Sequence, residues 1–283
     1  MNLSPVADKL GYECGIVECA KAGFDAMDMG FFTIKKGNSP FSGDDYREKC
    51  KDYLALAKEN GIVFNQAHAP FGGAWPIYST ECVPHMPRVF ECCALLGIDT
   101  VIVHPVQDGR FYGREEELLD RSVEFYNGLI PIARDFGVKI ATENMWQRDA
   151  RKYIVDDTCA APDHFIRCVD RVNSEWLVAC LDIGHVPLCG REPADLIRAL
   201  GRERLKALHV HDVDLINDSH VIPFEGKVNW DSVCRALAEI GYEGDFTYEV
   251  DYAITPIPAP LVPSTLRYAH DIGRYLISKI ENN

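Results

Sequence analysis

Residues 178–185 read VACLDIGH. Four small or branched apolar side chains, Val178 to Leu181, end in an acid, Asp182, followed by a glycine turn and His185. So short and so apolar a run suits a parallel strand buried on both faces, with the acid at its C-terminal end. The pattern recurs along the chain. VFNQAHAP ends in His68, TVIVHP in His104, VKIATEN in Glu143, KALHVHD in His209 and FTYEVD in Glu249.

Working outward, strands are expected near 2–6, 26–31, 62–67, 100–104, 138–143, 177–182, 205–211 and 245–250. Amphipathic helical patterns alternate with them, near 10–22, 44–60, 82–97, 115–137, 161–173, 193–201, 229–241 and 264–281. Gly23, Gly61, Gly97, Gly137 and Gly241 stand where a left-handed residue closes a helix. Strict alternation predicts an α/β fold, one (β/α)8 TIM barrel spanning 1–283, rather than a doubly wound open sheet. The helix-stop glycines then mark the bottom of the barrel. The polar strand ends mark the top, where barrels carry their chemistry. Three long segments, 69–81, 105–114 and 212–229, are expected to form top loops.

The chain has 283 residues, 47% of them hydrophobic and 25% charged, which are globular values with no linker or low-complexity break. A net charge of −14 disfavours nucleic acid and anionic membranes as partners. Eleven scattered cysteines with no C-x-x-C pair, no signal-peptide pattern and no apolar span predict a cytoplasmic protein in a reducing compartment. Walker, dinucleotide-binding and G-x-S-x-G signatures are all missing from the sequence.

Glu143, Asp182, His209 and Glu249 end four successive strands. Neighbouring strands lie about 4.8 Å apart, so four such side chains can surround one point. Three carboxylates and an imidazole suit a divalent Mn, Mg, Co or Zn ion. The competing reading, helix capping, fits Asp182. It fits Glu143 and Glu249 poorly, because a carboxylate inside an apolar strand is costly to bury without a cation. His209 and His211 are two apart and share a face, so strand geometry leaves the choice of ligand open. His68, His104, His185 and His211 are candidates for binding substrate, and Trp75 and Trp146 for an aromatic wall at the mouth, with Phe71, Phe111 and Trp230 nearby. Asp218 and His220, in the longest loop, are further candidate ligands.

Taken in order, HAPF, VIVHP, ATEN, LDIGH, LHVHD, FEGKVNW and TYEVD resemble the xylose isomerase-like barrel family over essentially the whole chain. The resemblance implies a sugar, sugar-phosphate or inosose isomerase or epimerase acting on a small sugar or polyol. By comparison with the family's ketose 3-epimerases, one divalent metal is held by Glu143, Asp182, His209 and Glu249, and His185 contacts substrate. His209 is then favoured over His211. Glu143 and Glu249 are the expected acid/base pair for proton transfer next to a carbonyl through a metal-stabilised enediolate. The arginine that those epimerases carry after the seventh strand is missing here, where the loop reads DLINDSH. A second implied reading is a trinuclear-zinc phosphodiesterase like endonuclease IV. It would hold up to three Zn and recruit His68, His104, His185, Asp218 and His220 as well. A third is a non-catalytic carbohydrate-binding or accessory barrel. Homo-oligomerisation is left open.

Overall fold

The computed structural model describes residues 1–283. Strands β1 (Ala26–Gly30), β2 (Val63–His68), β3 (Thr100–Ile102) and β4 (Lys139–Glu143) run parallel in sequence order. After β4, β5 (Trp146–Arg148) and β6 (Ile154–Asp156) form a separate antiparallel hairpin. The parallel sheet continues with β7 (Leu177–Asp182) and β8 (Leu205–His209).

Two short segments close the ring. The Asn2 N–H donates to the Tyr248 carbonyl (2.8 Å), and the Leu3 N–H to that of Asp28 (2.9 Å). On the other side the Val210 N–H donates to the Thr247 carbonyl (2.8 Å) and the Glu249 N–H to that of Val210 (3.1 Å). Residues 1–3 and 247–249 thus occupy the remaining two staves of an α/β barrel.

The run expected at 2–6 needs correction. Only Asn2 bridges to a neighbour, and Ser4–Leu10 is a helix. Pro5 lies in its first turn, where the missing N–H costs nothing. The run expected at 245–250 likewise pairs only at Tyr248. The eight larger helices fall within a few residues of expectation, from Tyr12–Ala22 to Val262–Glu281. Each buries one face. In Pro162–Val172, Phe165, Cys168, Val169 and Val172 face the core. On the outer side Arg167 and Arg171 meet Glu116 and Asp120 of the preceding helix at 2.5 and 2.6 Å. The five helix-stop glycines all have positive φ.

Alternation along the strands positions the site. Ile102, Ala141, Val178, Cys180 and Ala207 pack as an apolar plug inside the barrel. Two residues further along the same strands come His104, Glu143, Asp182 and His209, which period two keeps on the inward face. Small side chains below leave room for larger polar ones above.

Candidate metal centre at the barrel mouth

Parallel register sets Asp182 of β7 beside His209 of β8. One ligand atom from each of Glu143, Asp182, His209 and Glu249 lies within 4.8 Å of the other three. His209 Nδ1 is 2.8 Å from Glu143 Oε1 and 3.1 Å from Glu249 Oε2. Two more groups adjoin this quartet. His68, His104 and Glu143 converge on one side, and His185, His211, Asp218 and His220 on the other. Glu143 and Asp182 are buried outright, while Glu249 and Asp218 face a mouth cavity of about 880 Å³ together with Phe32, Phe71, Trp146 and His220.

The histidines are held with one nitrogen pointing inward. The Nδ1 atoms of His68, His185 and His220 lie 2.8, 2.8 and 3.0 Å from the carbonyls of Ala69, Asn144 and Glu249. A carbonyl only accepts, so each Nδ1 carries a proton and each Nε2 faces the cluster, where it offers a lone pair once its own proton has left. Imidazoles that ligate metals are commonly held by such a bond on the other nitrogen. His209 is turned the other way, with Nε2 3.9 Å from Asp28 Oδ2 and Nδ1 inward.

Charge balance points the same way. Asp28, Glu143, Asp182, Asp218 and Glu249 pair with histidines, and none is met by a lysine or arginine. Burial opposes charge on His209, but Glu249, Glu143 and Asp28 outweigh it and hold its pKa well above the ordinary value. The same contest ends the same way for His185, through Asp182 and Asp218. At His220, burial is overcome by Asp218 and Glu249 and the pKa is pushed up to about 10. Burial pushes the Glu143 carboxyl upward, but His209, then His104 and His68, pull it well below the usual carboxylate range. Two buried carboxylate oxygens, Glu143 Oε2 and Asp218 Oδ1, have no hydrogen-bond partner; His104 Nε2 comes within 3.1 Å of the first but out of line. Unpaired carboxylate oxygens that converge with imidazole nitrogens, in a field that demands positive charge, fit divalent cations.

Several expectations change. His211 shares the inward face with His209, but it is fully buried and bonds both oxygens of Asp182 (2.9 and 3.0 Å) rather than opening to the mouth. Gly184 permits this, since a Cβ there would lie 2.1 Å from the His211 ring. Trp146 does reach the site, with Nε1 3.3 Å from Asp218 Oδ2. Trp75 does not. It begins a helix, Trp75–Glu81, inside the expected loop, and its indole packs on Phe125 and Tyr78 (5.1 and 5.8 Å). Trp230 is a core residue whose Nε1 donates to Asp212 (2.8 Å). Phe71 lies over His68 and His104, with centroids at 5.2 and 4.7 Å.

Three supporting residues stand behind these donors. Asp28 faces His209 and accepts from Gln66 Nε2 (2.9 Å). Asn144 joins β4 to β7 and receives His185 on its carbonyl. Asp212, fully buried, accepts from the N–H groups of Val213, Phe224 and Val228 as well as from Trp230. It thereby shapes the loop that presents Asp218 and His220. The available signal was position, one residue after Glu143 for Asn144 and three after His209 for Asp212.

The fold and the site define a class: a TIM barrel whose mouth is built of metal-type donors. The chain belongs to the xylose isomerase-like TIM barrel family, whose model matches residues 16–272. Among curated relatives, an uncharacterised protein of Methanocaldococcus jannaschii is 29% identical over 70% of this chain and 68% of its own length. The inosose isomerase of Bacillus subtilis is 25% identical over 60% of each chain. Among solved structures, a D-tagatose 3-epimerase-like protein covers 99% of this chain and 98% of its own at 22% identity and a TM-score of 0.73. The IolI protein with a bound zinc atom covers 98% of both at 20% identity and a TM-score of 0.76. The structural likenesses establish the fold; the neighbours include sugar epimerases and an isomerase.

Proposed function

We propose that the protein is a divalent-metal-dependent sugar or inosose isomerase or epimerase, with Glu143, Asp182, His209 and Glu249 as ligands and Glu143 and Glu249 as the acid/base pair. One observation carries the reading: four ligand atoms of the right kind lie within 4.8 Å of one another, and no lysine or arginine pairs with their carboxylates. The named activities of the neighbours support the substrate class. A bound divalent ion would supply Lewis-acid polarisation of a carbonyl.

The protein's own groups would do the rest. Glu249, at the edge of the cavity, can take a proton from carbon beside the carbonyl, and Glu143, on the inner side among three histidines, is the second carboxylate of the pair. His185, anchored on Asn144, would position a substrate oxygen, and His68 and His104, beneath Phe71, would meet hydroxyls. Trp146 would wall one side of the sugar. The test is exchange of a substrate C–H proton with deuterated solvent in a ketose and inosose screen with added metal. Exchange abolished in Glu143→Gln and in Glu249→Gln supports the reading. Full exchange in both variants overturns it.

A second reading, a trinuclear-zinc phosphodiesterase, is favoured by the third donor group of His185, His211, Asp218 and His220. It requires about three zinc ions per chain and cleavage of abasic DNA. The net charge of −14 opposes a polyanionic substrate.

A further inference from the structure

A second cavity, of about 930 Å³, opens beside the mouth between the 105–114 loop and the β5–β6 hairpin. Arg110, Arg148 and Arg151 line it, and Arg148 also lines the mouth cavity. These arginines differ from most others in the chain. Arg47, Arg114, Arg121, Arg167, Arg171, Arg191, Arg198, Arg202, Arg204 and Arg274 each meet a carboxylate within 4.0 Å. Arg110, Arg148 and Arg151 meet none, in a protein of net charge −14 that has acids to spare. Unpaired guanidinium groups gathered at one cavity of an acidic protein suit an oxyanion, which their planar N–H fork matches.

The backbone around them is held in place. Gln147, with its amide turned to satisfy both neighbours, donates to the Gly109 carbonyl (3.0 Å) and accepts from the Phe111 N–H (3.1 Å). It therefore clasps the residues on either side of Arg110 and ties that loop to the strand carrying Arg148. Arg148 lies over the Trp146 ring (5.5 Å) and donates to the Lys152 carbonyl (2.9 Å). The two acids on the wall are otherwise engaged. Asp149 caps the N–H groups of Arg151 and Tyr153 (2.8 and 2.9 Å), and Asp157 accepts from Gln107 (2.7 Å) and from the Thr158 N–H (2.8 Å).

We propose that Arg110, Arg148 and Arg151 bind the phosphate or carboxylate group of an anionic sugar whose reacting end enters the metal centre. The proposal rests on the isomerase/epimerase reading and narrows its substrate class. Trp146 stands between the two ends, lining the mouth cavity while its neighbour Gln147 lines the second.

The test separates the two readings. Inorganic phosphate is titrated calorimetrically into metal-stripped full-length protein, where the acidic centre repels it. Binding with a Kd of about 1 mM or tighter is expected. In Arg110→Gln/Arg151→Gln it should weaken at least about tenfold, with the thermal midpoint and metal content unchanged. The Arg110→Lys/Arg151→Lys variant should recover part of the loss, because it keeps charge without the fork. On metal-loaded protein, fructose 6-phosphate or glucuronate should bind at least about tenfold more tightly than fructose, and whichever leads identifies the oxyanion. No phosphate binding, binding indifferent to the variants, or no preference for either anionic sugar overturns the proposal. Failure of the isomerase reading appears separately, as absent proton exchange with phosphate binding intact.

Discussion

The side-chain amide of Asn144 donates to the carbonyl of Asp182 at 2.9 Å and accepts from the N–H of Asp182 at 2.8 Å. Asn144 thus extends the β4–β7 ladder with a side chain, just where both strands release their carboxylates. Asn144→Ala leaves the Asp182 N–H and carbonyl buried and unpaired, at roughly 1–3 kcal/mol per group. The same change removes the backbone context that fixes Asp182 and His185. Metal affinity is expected to fall about 10–100-fold, read by competition with a chelating dye.

Glu143→Gln and Glu249→Gln are each expected to lower turnover by about 10²–10⁴-fold. Both should stay folded by circular dichroism. Loss of turnover with metal content retained assigns proton transfer to the side chain. Loss of both assigns ligation.

On the proposed reading, metal and protons would compete for the same cluster. Because acids raise the pKa values of His185, His209 and His220, the metal-free cluster holds protons that a cation must displace. Their stabilisation of the metal-free protein is fully present below the unfolded histidine value and is lost as pH rises through the raised folded values, about 10 for His220. Metal affinity should therefore rise from about pH 6 to about pH 9. Titration calorimetry in buffers of different ionisation enthalpy should count at least one proton released per metal. Chelation should abolish turnover, and metal at about 100 times its Kd should restore about 2.7 kcal/mol of stability. A metal affinity independent of pH would sink this account.

Asp157 provides a pH effect away from the histidine–carboxylate cluster. Burial raises its pKa from 3.8 to about 6 against the pull of Gln107 and Thr158. The native state thus holds this proton more tightly than the unfolded chain does. The resulting stabilisation is complete below pH 3.8 and is lost as pH rises through about 6. A shift of that size corresponds to roughly 3 kcal/mol at most. In Asp157→Asn, the fall in denaturant midpoint across this window should be shallower than in the wild type.

Gly226 tests the anchor of the longest loop. A Cβ at this position would lie 2.2 Å from Asp212 Oδ1 and 2.5 Å from the Val213 carbonyl. Gly226→Ala should cost about 1–3 kcal/mol. It should also displace the loop that carries Asp218 and His220, so the ratio of metal to protein should drop more than for a surface Gly→Ala control such as Gly128→Ala, which meets open space.

What could be read from the sequence was whatever recurs with a period. A short apolar run that ends in an acid or an imidazole, as in VKIATEN and VACLDIGH, announces a buried strand with an inward polar end. Eight repetitions with helix-stop glycines announce a barrel, and with it the convergence of His68, His104, Glu143, Asp182, His209 and Glu249. The terminal staves were harder, because Met1–Leu3 and Thr247–Glu249 owe their extended form to hydrogen bonds from partners far away in sequence. The tertiary structure alone decided how the donors divide. His209 and His211 share a face, yet one turns to Glu143 and the other to Asp182, because Gly184 leaves space for the second ring. It also decided that Trp75 and Trp230 pack inward while Trp146 reaches the mouth. A side chain's period sets its face. Its rotamer and partners are set by what other strands and loops bring beside it.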